Sequence, residues 1–350
     1  MKYIITVDYG NEKHAGSKAP NDIVMIARDN NYVVKKFKNP PSNRFIRFLW
    51  RYFGPRKEWL RFLNEVTAKD VILYQHPTHN EEYFFRKFIP KFQKKGAKVV
   101  VLIHDLDYVR YQYEENTKKR HNEVSLLKSV DCVICHNQQM LKKLVDAGVQ
   151  NEKLVDLQFF DYLTCGVPQK ECYERKWNVC IAGNLNKLVN DYIYKAADNN
   201  KELSFELYGN SFYSHAQNQN INYHGSFLPD ELINKINADF GVVWAGMDSE
   251  TCSGQLGAYL RYNNPHKASL YLAAGIPLIV WNQSAIAKFV SDYNCGIIID
   301  SLNNLEDIIK DINDEEYKSI RDATQKISLK IQKGDFFKEA LNAAERKITK

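Results

Sequence analysis

Short apolar runs recur along the whole chain, with longer helical patterns between them. In the first half the runs cover 3–8, 71–75, 99–104 and 132–136, with helical patterns over 20–29, 57–67, 81–95 and 138–147. The register resets at 165–171, a polar stretch bearing Gly166 and Pro168. A second series follows at 178–182, 204–208, 222–224, 240–245, 277–281 and 296–300, closed by an amphipathic tail over 326–350. This alternation dictates α/β architecture with parallel sheets. At 350 residues the chain exceeds one typical domain. The expected fold is α/β, with two Rossmann-like doubly wound domains facing a cleft. They span 1–165 and 172–325, and a helix over 326–350 packs back toward the first. Ligands bind beyond the carboxyl ends of such strands, so the residues that follow each strand are the ones to read.

The segment 263–281 is the most specific. Asn264 and Pro265 mark a turn and a helix start. Gly275 fits a helix C-cap, and Pro277 stops the helix before the apolar run Leu278-Ile279-Val280-Trp281. The helix opens with His266, Lys267, Ala268 and Ser269, so amides and a cation converge where an anion such as a diphosphate would sit.

Composition bounds the rest. Hydrophobic residues are 44% of the chain and charged residues 26%, as in a soluble globular protein. No apolar run reaches the length of a membrane span, and the start reads as a first strand, so a cytoplasmic location is expected. A formal charge of +6 is too mild to point to nucleic acid, and no nucleic-acid partner is expected. Seven cysteines without an export signal read as free thiols. Cys132 and Cys135 lie inside an apolar run, which favours a structural role over a metal or redox site. No metal site is expected. Oligomeric state is not legible.

Several strand ends carry candidate chemistry. Gly183-Asn184 with Lys187 follows the first strand of the second series, where glycine admits close approach and lysine neutralises phosphate. Tyr208 precedes Gly209-Asn210 in the same way, placed either to stack on a base or to pack. In the first half, His104-Asp105 ends a strand. Asp105 is the preferred base for a sugar hydroxyl, with His104 as its orienter or substitute, against the alternative of a helix N-cap. His76 ends the preceding strand, within reach of a sugar. The loop 8–22, with Gly16, Ser17 and Lys18, reads as an acceptor or donor-closing loop or as a solvated one. The polar stretch 246–263 reads as a long functional loop. Residues 43–63 mix arginine with large aromatics, as an interfacial membrane segment does, or as a helix packed on the sheet with its arginines in water.

Asn264-Pro265-His266-Lys267-Ala268-Ser269 followed by Leu272-Ala273-Ala274-Gly275-Ile276-Pro277 resembles bacterial β-1,6-galactofuranosyltransferases and the related glucosyltransferases that extend glycans on serine-rich adhesins. Ile103-His104-Asp105, Ala182-Gly183-Asn184, Tyr208-Gly209 and His224-Gly225 match in the same order. The resemblance implies a GT-B fold, a UDP-sugar as donor substrate with no cofactor, and no essential metal. It places Lys267 on the donor diphosphate and Lys187 where a relative has arginine, with Tyr208 near the nucleotide. The paired glutamates of many retaining enzymes are not evident around Lys267 and Gly275, which implies inversion. The expected function is transfer of galactofuranose or glucose from a UDP-sugar to a glycan hydroxyl, in cell-surface polysaccharide or glycoprotein glycan synthesis. The acceptor would be lipid- or protein-linked, with peripheral contact at the inner membrane face and homo-oligomerisation. A non-catalytic glycan-binding partner and a UDP-sugar epimerase of the same fold are the alternatives.

Overall fold

The first sheet of the computed structural model has six parallel strands. They are β1 (Lys2–Val7), β2 (Tyr32–Phe37), β3 (Val71–His76), β4 (Lys98–Ile103), β5 (Cys132–Cys135) and β6 (Leu154–Asp156). Their spatial order is β2-β1-β3-β4-β5-β6. The structure describes residues 1–7, 16–37, 55–78, 82–164, 175–214 and 218–349, with positions 43, 46, 48 and 50. The strands are apolar on both faces because helices cover both faces; β3 is buried at every position. β2 was not foreseen. It is an edge strand carrying Lys35 and Lys36, so its apolar signal is weak.

The second sheet is built from β7 (Asn178–Asn184), β8 (Ser204–Asn210), β9 (Ile221–Tyr223), β10 (Phe240–Val243), β11 (Leu278–Trp281) and β12 (Gly296–Ile299). Its order is β12-β11-β10-β7-β8-β9, all parallel. Chain direction across the sheet reverses between β7 and β10, which makes their carboxyl ends the topological switch point. One core cluster lies under the His266–Ala273 and Asp314–Lys333 helices, with Tyr271, Leu272 and Ile331 buried. The other lies on the opposite face, around Trp244, Trp281 and Tyr192.

The described residues fall into two compact units. One is drawn from Met1–Gly10, Pro20–Leu157 and Phe337–Lys350, the other from Asn11–Ala19 and Gln158–Phe336. The second unit begins before the expected link at 165–171, which lies outside the described residues. Phe159 and Tyr162 already belong to its core: Phe159 stacks on Phe289 at 4.4 Å, and the Tyr162 amide donates to the Ile331 carbonyl. The tail is not one helix. Gly334, at φ 77°, caps Asp314–Lys333, and a new helix runs from Asp335 to Thr349. In the first unit that last helix is tied by Lys2 Nζ to Glu345 at 2.6 Å and by the Tyr32 hydroxyl to the same carboxylate at 2.9 Å.

Two other expectations change in detail. The stretch 246–263 contains a helix, Gly254–Tyr259, with Ser249, Cys252 and Tyr259 buried, and is not simply a polar loop. In the region 43–63, Arg56–Glu65 is a helix that buries Trp59 and Phe62, and Phe37 stacks on Trp59 at 4.5 Å. Arg56 and Arg61 stay exposed, as the packed-helix reading requires. Ile46 and Phe48 are exposed, and most of the positions around them lie outside the described residues. Among the described residues no helix is long and apolar enough to cross a membrane. Cys132 and Cys135 are buried in β5; burial pushes the Cys132 thiol up to about 12 and the Cys135 thiol higher, which suits a packing role.

Candidate active site

A cavity of about 510 Å³ opens at the carboxyl ends of β7 and β8, beside the switch point of the second sheet. Its floor is the end of β7, Ala182-Gly183-Asn184, paired in register with Tyr208-Gly209-Asn210 of β8. Two glycines permit that floor. A Cβ on Gly209 (φ 151°) would lie 1.8 Å from the Gly183 carbonyl oxygen, so only glycine lets the two strand ends close. A Cβ on Gly183 (φ 130°) would meet nothing within 4 Å, since its empty side faces the cavity. The wall is completed by Ser226, Phe227, Pro229 and Leu232, by Tyr162, and by His266, Lys267 and Leu270.

The His266–Ala273 helix aims its N-terminus at this cavity. Asn264 is buried, and its Nδ2 donates to the Gln158 carbonyl at 2.7 Å, which fixes the turn ahead of the helix. Pro265 is the N-cap, and no side chain caps the helix. The amides of His266 and Lys267 therefore have no partner inside the helix. Ala268 and Ser269 are buried and seat the helix on the core. Tyr271 locks it to the floor: the Ala182 amide donates to the Tyr271 hydroxyl oxygen at 2.6 Å. Gly241 in β10 makes room for this ring, since a Cβ there would lie 2.4 Å from it.

Lys267 is the unusual charge. Its Nζ donates to the Trp244 carbonyl at 2.8 Å, just past β10, and lies 6.0 Å over the Tyr192 ring. No carboxylate forms an ion pair with it among the described residues. Burial pushes its pKa down to about 8. Such a cation, beside helix amides without intrahelical partners, has the chemistry that suits an anion. His266 stacks on Tyr162 with ring centroids 5.3 Å apart. Burial first, and the Lys18 charge second, push its pKa down to about 4, so the ring is neutral at physiological pH.

The other expected residues are placed as follows. Gly183, Asn184 and Tyr208 line the cavity. The Tyr208 ring is buried and stacks on His224 at 4.6 Å, so one of its faces already has a partner. Lys187 is not in the cavity wall; it is half-exposed, 4.0 Å from Asp191 and 4.8 Å over the Tyr213 ring. Gly16 is exposed and Ser17 buried in the turn before the Lys18–Asp29 helix, while residues 8–15 of that loop lie outside the described residues. Lys18 joins the second unit: Nζ donates to the Leu163 carbonyl at 2.7 Å, pairs with Asp230 at 2.9 Å and lies 4.8 Å over the Tyr162 ring.

In the first unit, Asp105 pairs with Arg110, and His104 Nε2 bonds Gln75 Oε1 at 2.7 Å. His76 is buried against Glu123 at 2.9 Å rather than presented to a sugar. Burial opposes its charge, but the Glu123 hydrogen bond and charge outweigh that and raise its pKa. Glu123 also accepts the amides of Asp107 and Tyr108, at 2.9 and 2.7 Å, so it anchors the turn that carries Asp105.

Models of the glucosyltransferase 3-like N-terminal and C-terminal domains match residues 1–159 and 179–344. The chain belongs to the glucosyltransferase 3-like family. It is 32% identical to the β-1,6-galactofuranosyltransferase WbbI of Escherichia coli K12 over 283 residues, 80% of each protein. It is 26% identical to glucosyltransferase 3 of Streptococcus gordonii over 350 residues, 97% of each. The fold is that of Anabaena HepE, solved with UDP and glucose, at TM-score 0.60 and 13% identity over 98% of both chains. The lipopolysaccharide outer core galactosyltransferase WaaB matches at TM-score 0.61 and 10% identity, over 98% of this chain and 99% of that one. The family member described here is thus a GT-B glycosyltransferase. Its sequence motifs marked the strand ends and the helix start. Tyr162, Ser226, Phe227, Pro229, Leu232 and Leu270 carry no such signal, because each is an ordinary packing residue until the fold brings it to the cavity.

Proposed function

We propose that the chain transfers a hexosyl group, galactofuranose or glucose, from a UDP-sugar to a glycan hydroxyl, with the uridine diphosphate held on the second unit. The observation that carries this reading is Lys267, a cation with no carboxylate partner among the described residues, beside an uncapped helix N-terminus in a cavity of nucleotide size. The names of its relatives, a galactofuranosyltransferase and a glucosyltransferase, and the UDP and glucose bound by HepE support the choice of donor class.

The chemistry follows from charge. As the glycosidic bond breaks, negative charge grows on the leaving diphosphate. Lys267 and the amides of His266 and Lys267 stabilise it without rearranging. Gly183 leaves the floor open for close approach. Asp105 is the proposed base for the acceptor hydroxyl, with His104 beside it, in a single inverting displacement that needs no metal. Its carboxylate is held by Arg110, so the acceptor must share or displace that contact. The test is turnover with UDP-glucose and UDP-galactofuranose in the presence of a glycan acceptor. Lys267→Ala should cut transfer at least tenfold while the melting curve stays intact. Near-normal turnover in that variant removes the diphosphate role.

A further inference from the structure

Lys267 and the helix amides account for an anion, but they leave a second group in the same wall without a function. His266 precedes Lys267 as the first residue of the helix, and its ring lines the cavity. Both ring nitrogens are buried, and neither makes a hydrogen bond of normal geometry among the described residues; the Asp161 backbone lies near enough only to offset a small part of the fall in the ring's pKa. An imidazole always presents at least one N–H donor, and a buried donor or acceptor left unmade is costly. The ring is not loose: Tyr162 stacks against it at 5.3 Å, and the Tyr162 hydroxyl is itself fixed by donating to the Pro229 carbonyl at 2.8 Å.

We propose that His266 reads a hydroxyl group of the bound nucleotide sugar, on the glycosyl ring or on the ribose, through the nitrogens that the protein leaves unbonded. This rests on the UDP-sugar reading of the cavity. A neutral imidazole offers one donor and one acceptor, and a hydroxyl does the same. A phosphate oxygen only accepts, and it would favour the charged ring, which burial and the neighbouring Lys18 both oppose here. The anion therefore goes to Lys267 and the amides, and the hydroxyl beside it goes to His266.

Calorimetric binding to the full chain tests this with three probes: UDP-glucose, UDP and 2′,3′-dideoxyuridine diphosphate. His266→Ala should weaken UDP-glucose at least tenfold and leave the dideoxy diphosphate within twofold of wild type. If the hydroxyl is glycosyl, UDP is also unchanged; if it is on the ribose, UDP weakens with UDP-glucose. His266→Gln, which keeps a donor and an acceptor, should recover part of the loss, which a purely packing role for the ring would not allow. Equal weakening of all three probes, or of none, overturns the assignment. Failure of the wild-type chain to bind any of them sinks the UDP-sugar reading itself and this inference with it.

Discussion

Lys267 Nζ donates to the backbone carbonyl oxygen of Trp244 at 2.8 Å, and that neutral oxygen, in place of a carboxylate, is its hydrogen-bond partner. The arrangement joins the start of a helix to the end of β10, across the switch point of the sheet. It also explains why a charge is held where charge is costly. A carboxylate partner would satisfy the lysine in the empty protein and compete with a diphosphate. A carbonyl orients the ammonium and, on the proposed reading, leaves its charge for the diphosphate.

The first prediction concerns pH. Burial sets the Lys267 pKa at about 8, against about 10.4 for a free lysine. Between those values the unfolded chain holds a proton that the folded chain has released, so stability of the ligand-free protein rises with pH across that window. A diphosphate restores the charge, so binding takes up a proton above pH 8. UDP affinity should hold below about pH 8 and then fall, approaching roughly tenfold per pH unit. Lys267→Met should flatten that limb, bind UDP weakly throughout, and melt no lower than wild type at pH 7. Calorimetric titrations at pH 7 to 10 measure it; an unchanged affinity across the range would refute the role of this ammonium.

The second prediction concerns the first unit. Glu123 accepts one imidazole N–H and two backbone amides from a buried position, so its removal leaves three donors without a partner. Glu123→Ala should cost about 3–5 kcal/mol, the range for breaking a buried pair. Chemical denaturation reads the loss directly. In any variant still folded, turnover should fall more than UDP affinity, because Asp105 sits on the turn that Glu123 holds. An equal loss in both, or a loss of stability under 1 kcal/mol, contradicts this.

Much of the framework is legible in the sequence. Most strands of both series show as apolar runs, because parallel strands covered on both faces carry little polar alternation; the edge strands β2 and β6 do not show. Asn264-Pro265 and Gly275-Ile276-Pro277 bracket the His266–Ala273 helix because proline and glycine act locally. Legibility ends where function depends on distant partners. Lys187 looks like a phosphate ligand from its place after a Gly-Asn turn, yet the fold sets it against Asp191 and Tyr213. His76 looks like a sugar contact at a strand end, yet Glu123, far along the chain, draws it inside. The expected single tail helix breaks at Gly334, a residue that amphipathic periodicity does not register.

The last prediction separates the two floor glycines. Both have positive φ, 130° at Gly183 and 151° at Gly209, and both sit at strand ends in register. Their surroundings differ completely. An alanine methyl at 209 would lie 1.8 Å from the Gly183 carbonyl oxygen, which is backbone and cannot swing away. The ends of β7 and β8 would have to part, and overpacking with backbone strain should cost about 3 kcal/mol. At 183 the methyl meets no atom within 4 Å, so only backbone strain of about 1–2 kcal/mol applies. Gly209→Ala should therefore melt lower than Gly183→Ala, by several degrees at roughly 2–4 °C per kcal/mol for a unit of this size. In binding the expectation differs, because the Gly183 methyl projects into the cavity. Gly183→Ala should lose UDP affinity out of proportion to its small loss of stability. Melting curves and UDP titrations on the two variants decide the matter, and a reversed order of stability would mean that the floor is not closed by the contact between these two residues.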